Sequence, residues 1–168
     1  MIDKDLLLKE NLMRFFETKK KRQMMADVIE KKTGYSLRVI EWFVSNYSKK
    51  YNTRYNIKKD KGSVMFDVYD SYKNEQLKSF SKKHFDLFRR SDKFNFIVDD
   101  KRTIKTTVGQ MNFFKWAIQN KILDYVRDNY KIIKEDMDTR SKKKQDTDKK
   151  KFFDTVLIIH NKVKLSFD

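Results

Sequence analysis

The chemistry open to this chain is limited first by the side chains it lacks. Its 168 residues include no cysteine, no proline, three glycines and two histidines. Without cysteine there is no disulfide framework, no thiolate metal site and no thiol nucleophile. His84 and His160 are far apart in the sequence and lack the spacing of metal ligands or of a Ser-His-Asp triad. His84 falls among apolar residues and reads as a hydrogen-bonded boundary histidine rather than a catalytic base. Gly34, Gly62 and Gly109 are too few and too scattered for a phosphate-cradling glycine loop. Carboxylates offer one catalytic thought. Asp67 and Asp70 lie near Glu75, and Asp99-Asp100-Lys101 sets acids beside a lysine, as Mg²⁺-dependent nucleases do. Asp99 and Asp100 also sit where a tight turn favours Asp, which is the simpler account. No enzyme, cofactor or metal site is expected.

The cations are the stronger signal. Lysine and arginine number 40 against 24 aspartates and glutamates, an excess of 40 − 24 = 16, with a pI near 9.8. Such a balance attracts polyanions over long range, and nucleic acid is the commonest of them. The opposing account is a genome that uses lysine as its default surface residue. The basic runs are Lys19, Lys20, Lys21 and Arg22; Lys49, Lys50, Arg54, Lys58 and Lys59; Lys82, Lys83, Arg89 and Arg90; and Lys142, Lys143 and Lys144. In the second run tyrosines interleave with the cations, the combination that binds single strands by backbone charge and base stacking. Tyr51, Tyr55 and Ile57 facing inward from a strand would explain the same spacing without a ligand. No stretch approaches the roughly 20 apolar residues of a membrane span. The N-terminus lacks the basic region and apolar core of a secretory signal. A soluble intracellular protein with no membrane partner is therefore expected.

The elements that must position these groups follow from apolar periodicity. Met111, Phe114, Ile118, Ile122 and Tyr125, widened by Ala117 and Val126, predict one long helix over Thr107–Arg127, running on after Tyr130 through Ile132 and Ile133 toward Met137. Thr107 and Gln110 form its capping box. Phe113 and Trp116 add a second apolar face, as in a helix packed on both sides. Residues 5–32 predict one bent helix or two, ended by Gly34 as the residue after the cap. Ser36 caps a helix from Leu37 to about Tyr51. Two hairpins follow, Thr53–Lys58 with Val64–Tyr69 and Phe94–Val98 with Thr103–Thr106. A short helix runs over Leu77–Phe88 between them. Residues 139–151 are poor in apolar side chains and read as a mobile basic loop. Val156–Ile159 and Val163–Phe167 read as closing strands. The class is α+β: helices on a small, mostly antiparallel sheet in a single domain, with residues 1–35 a helical segment and 36–168 the core.

At Phe66-Asp-Val-Tyr69, at Leu77-Lys-Ser-Phe-Ser-Lys-Lys-His-Phe-Asp86 and at Thr106-Thr-Val-Gly-Gln-Met-Asn-Phe-Phe-Lys-Trp-Ala-Ile118, the chain resembles a family of uncharacterised proteins from nucleocytoplasmic large DNA viruses. The resemblance runs from about Leu37 to Tyr130. It implies a proline after Phe85-Asp86 and a cysteine before Arg89-Arg90, where this chain has Leu87 and Phe88. It also implies a place of work in the host cytoplasm, at the viral factory, or in the virion. Charge and resemblance together give the leading expectation: a non-enzymatic, nucleic-acid-binding accessory protein for genome condensation or late transcription. It would hold mainly the phosphate backbone, of DNA in preference to RNA. The rival expectation is a virion scaffold protein that binds viral proteins or further copies of itself.

Overall fold

The computed structural model describes residues 2–167, and their side chains as far as Lys162. The chain divides at Ile133 into two compact units, residues up to Ile133 and residues from Lys134 onward.

The first unit opens with helices α1 (Lys4–Phe15) and α2 (Lys19–Ile29). Asp3 caps α1, accepting from the Asp5 and Leu6 N–H groups, the groups that a helix start leaves unpaired. Helix α2 ends earlier than Gly34, and on a lysine. Lys31 takes a left-handed φ of 60°. Its N–H reaches the Val28 carbonyl while the Lys32 N–H reaches that of Asp27, the double closure of a Schellman ending. Helix α3 starts at Leu37–Trp42 behind a Ser36 cap, widens to π-helix over Phe43–Tyr47 and finishes at Ser48–Lys50.

Strands β1 (Arg54–Lys59) and β2 (Gly62–Asp67) form the first hairpin, with Tyr55 opposite Phe66 and Ile57 opposite Val64. The strand stops before Val68. There the Asp67 side chain accepts from the Asp70 N–H and starts α4 (Val68–Asp70), which continues as π-helix Ser71–Gln76 and ends at Leu77–Ser79. The expected helix over Leu77–Phe88 is therefore displaced towards the N-terminus, and residues 80–92 are turns. Strands β3 (Phe94–Asp99) and β4 (Arg102–Thr106) form the second hairpin. The two hairpins do not join, so the small single sheet of the sequence reading is two separate two-stranded sheets.

Helix α5 (Val108–Gln119) is the centre of this unit. Met111, Phe113, Phe114, Trp116 and Ala117 are all buried, on both of the faces predicted for it. Helices α1 and α2 pack against it, and α2 also lies on β3. On the other face Trp116 meets Phe66, Tyr72, Phe85 and Phe113, and its indole N–H donates to Ser71 Oγ at 3.0 Å. The one long helix expected here is broken. Lys121 adopts φ 57°, and α6 (Ile122–Asp128) starts in a new direction. That corner lets Tyr125 stack on Phe43 and Tyr55, joining α3 and the first hairpin to the core. Arg102 secures the second hairpin to α2 through Asp27 at 2.8 Å and Glu30 at 2.7 Å.

Helix α7 (Tyr130–Phe167) replaces both the loop expected at 139–151 and the two closing strands. No glycine occurs after Gly109 and no proline anywhere, so nothing in the sequence breaks the backbone. Lysine, arginine and glutamine are good helix formers even where no apolar stripe marks the helix. The Lys134–Asp138 pair at 2.7 Å and the Thr147 and Thr155 hydroxyls donating to the Lys143 and Lys151 carbonyls follow helical spacing.

Lys121 holds a left-handed conformation that costs an L-residue roughly 1–2 kcal/mol. Glycine gives part of that back through its larger unfolded-state entropy. Lys121→Gly is expected to stabilise the protein by up to about 1 kcal/mol, read as a higher melting temperature in thermal denaturation.

Candidate functional site

Residues 80–92 have no secondary structure of their own, yet they are fixed against the start of α5 by side chains buried in that helix. Gln110 Nε2–H donates to the Leu87 carbonyl at 2.9 Å, and Asn112 Nδ2–H donates to the His84 carbonyl at 2.8 Å. The Thr107 hydroxyl donates to the Arg89 carbonyl at 3.3 Å, and the Asp86 N–H reaches the Gly109 carbonyl at 3.1 Å. Thr106 completes the set by donating to Gln110 Oε1 at 2.7 Å. Backbone approach is so close at Gly109 that an added Cβ would lie 2.9 Å from the Lys83 carbonyl oxygen. A Gly-Gln-Met-Asn run in an otherwise apolar helix is thus a clamp: the glycine admits the segment and the amides hold it.

The clamp determines what the segment displays. Beside it opens a cleft of about 380 Å³, lined by Lys9 from α1, Lys83, His84, Arg89 and Asp92 from the clamped segment, and Thr107 and Val108 at the start of α5. Asp5 also lines it and ties α1 to the segment, with Oδ2 2.8 Å from Lys83 Nζ and Oδ1 2.5 Å from His84 Nε2. Lys83 and then His84 hold the Asp5 carboxyl below its ordinary pKa by hydrogen bonding, and Asp5 raises that of Lys83 in return. Arg89 lies 3.8 Å from Asp92, and its Nε is buried without a hydrogen-bond partner. Lys9 Nζ stands 4.4 Å above the Phe94 ring. Three permanent cations from two parts of the chain face two carboxylates here. The first turn of α5 adds the positive end of a helix.

The remaining basic residues are dispersed. Lys19 and Lys20 are exposed on α2, and Lys21 lies over Phe15. Arg22 is committed to structure, donating to the Val98, Phe16 and Glu17 carbonyls. Lys49 and Lys50 lie over Tyr69 and Tyr51, Arg54 pairs with Asp67, and Lys58 and Lys59 are exposed on the first hairpin. Of its inward-facing candidates Ile57 is buried and Tyr55 half-buried, its hydroxyl donating to the Asn120 carbonyl, while Tyr51 is exposed. Lys82 and Arg90 are exposed on the clamped segment, and Lys142, Lys143 and Lys144 on α7. Only Lys83 and Arg89 of the sixteen predicted contacts line the cleft. Lys9, Asp5 and His84, which complete it, were not among them.

Three of the carboxylates of the nuclease reading serve local structure. Asp67 caps α4 and pairs with Arg54, Asp70 accepts from Asn74, and Asp99 accepts from the Lys101 N–H in the β3–β4 turn. Among the described residues no three His, Asp or Glu side chains are grouped to hold a metal. Nor, among them, is any helix long and apolar enough to cross a membrane.

Lys83, His84, Thr107 and Val108 of the cleft lie within the stretches that carry the viral resemblance. Residues 1–161 match the model of a family of unknown function, DUF7197, and the chain belongs to that family. An uncharacterised protein of Acanthamoeba polyphaga mimivirus is 42% identical over 149 residues, covering 85% of this chain and 57% of the relative. The chain thus spans little more than half the length of that relative. No solved structure matches it.

The Asp5 contacts predict a pH dependence. A carboxyl whose folded-state pKa is depressed adds stability above its unfolded pKa and loses it as the pH falls through the depressed value. Asp5→Asn is expected to lower the melting temperature at neutral pH. The gap from the parent protein should narrow only as the pH falls below the ordinary carboxyl range, as measured by thermal melts across a pH series.

Proposed function

We propose that this protein is a non-enzymatic nucleic-acid-binding accessory protein of a large DNA virus, and that it grips phosphate at the cleft beside the start of α5. The observation that carries this reading is the convergence of Lys9, Lys83 and Arg89 on one cavity with the positive end of a buried helix. A helix start offers outward N–H groups to an anion, and lysine and arginine supply charge at the same place. The buried, unpaired Nε of Arg89 is a donor in want of an acceptor. Phosphate contacts of this kind position a polyanion without reading its sequence. DNA is the favoured form, given the kind of virus the family comes from, with work at the viral factory or in the virion. Lys82 and Arg90, exposed on the clamped segment, extend the contact along a backbone.

Fluorescence anisotropy with labelled single- and double-stranded DNA and RNA across a salt series tests this. Lys9→Ala with Lys83→Ala is expected to weaken binding to every sequence and to reduce the log–log salt slope by about 2, one unit per lost phosphate contact. Lys58→Ala with Lys59→Ala on the first hairpin should change it less. Equal effects from the two pairs would mean diffuse charge rather than a site. A defined oligomer with no salt-sensitive DNA binding would favour the scaffold reading.

A further inference from the structure

Helix α7 carries a surface that the cleft does not use. Phe152, Phe153, Val156, Leu157, Ile158 and Ile159 are 45–71% exposed, an unusual concentration of large apolar side chains in water. At 100° per residue, all but Ile158 fall within one arc of roughly 160°. Immediately before them stand Lys142–Lys144 and Lys149–Lys151, all exposed. Across 142–159 these six lysines face Asp146, Asp148 and Asp154, a balance of 6 − 3 = +3. The triplets are seven residues apart, so each lysine of one lies nearly above its counterpart in the other. Lys149 falls within the apolar arc itself, where its stem can lie along the apolar face with the ammonium directed outward.

We propose that this stretch of α7 lies in the plane of an anionic lipid surface, its aromatic and aliphatic arc in the acyl boundary and its lysines on the headgroups. Charge decides the occupant. Pairing with a second copy in register would set lysine triplets against lysine triplets, and the arc from Phe152 to Ile159 spans only about two turns. That falls short of the roughly three to four heptads that a sustained coiled-coil seam needs. An anionic bilayer opposes no like charge. Basic residues beside Phe and Leu on an amphipathic helix make the established physical pattern for it. The expectation of no membrane partner rested on the lack of a spanning segment, and a helix lying on a surface needs none.

Flotation of the full chain with phosphatidylcholine vesicles, and with vesicles that also contain phosphatidylserine, tests the proposal. Binding is expected to the anionic vesicles alone. Phe152→Ser with Val156→Ser should reduce it at least about tenfold, as should Lys149→Glu with Lys150→Glu and Lys151→Glu. These positions are exposed, and circular dichroism checks that helix content is retained. A Phe153→Trp protein should show blue-shifted emission on the anionic vesicles alone, a readout that does not depend on the loss-of-binding variants. Three results would overturn the proposal: no binding to anionic vesicles, binding that survives loss of the apolar residues and so rests on charge alone, or a stable dimer in light scattering that the serine variants dissolve. None of the three bears on DNA binding at the cleft.

Discussion

The first unit depends on a few buried amide hydrogen bonds at the start of α5. Gln110 and Asn112 sit in the most apolar helix of the protein and spend their side chains on the Leu87 and His84 carbonyls. A segment without helix or strand has backbone groups that must be paired when buried, and these amides supply the partners. The cost of placing polar side chains in the core is met because each finds a bond there. Remove the clamp and residues 80–92 lose their place, Asp5 loses Lys83 and His84, and the cleft loses most of its lining. Gly109 belongs to the same device, since any side chain there would push the Lys83 carbonyl away.

Much of the architecture was legible because it rests on local rules. The Ser36 and Thr107 caps, the two hairpins and the double-faced burial of α5 all follow from short-range pattern. The misreadings share a cause. Gly34 is left-handed as a glycine there suggests, but the residues that end α2 and break the long helix are Lys31 and Lys121, which no sequence rule marks. Residues 139–151 read as a loop for want of apolar side chains, although helix propensity and the absence of breakers suffice for helix. Val156–Ile159 reads as strand from its β-branched residues, but such residues favour strands only where a partner strand pairs with them, and among the described residues the paired strands are those of the two hairpins.

The cleft was less legible than the fold, for a geometric reason. Its two halves, Asp5 with Lys9 and Lys83 with Arg89, lie almost eighty positions apart in the sequence and meet only because α1 packs on α5. Charge runs point to basic residues that the structure leaves mostly dispersed. Isolated Lys9 formed no run at all. The legible signal was polar rather than basic: Gly-Gln-Met-Asn inside an apolar helix is locally unfavourable and therefore calls for a tertiary explanation.

In the proposed function, the clamp builds a localised phosphate site. Amide chemical-shift mapping during titration with a short oligonucleotide tests it most directly. The account predicts the largest and saturable shifts at Lys9, Lys83, His84, Arg89, Val108 and Gly109, with inorganic phosphate moving the same amides at higher concentration. Shifts spread evenly over the lysines of α2, the first hairpin and α7, with the start of α5 unmoved, would contradict it.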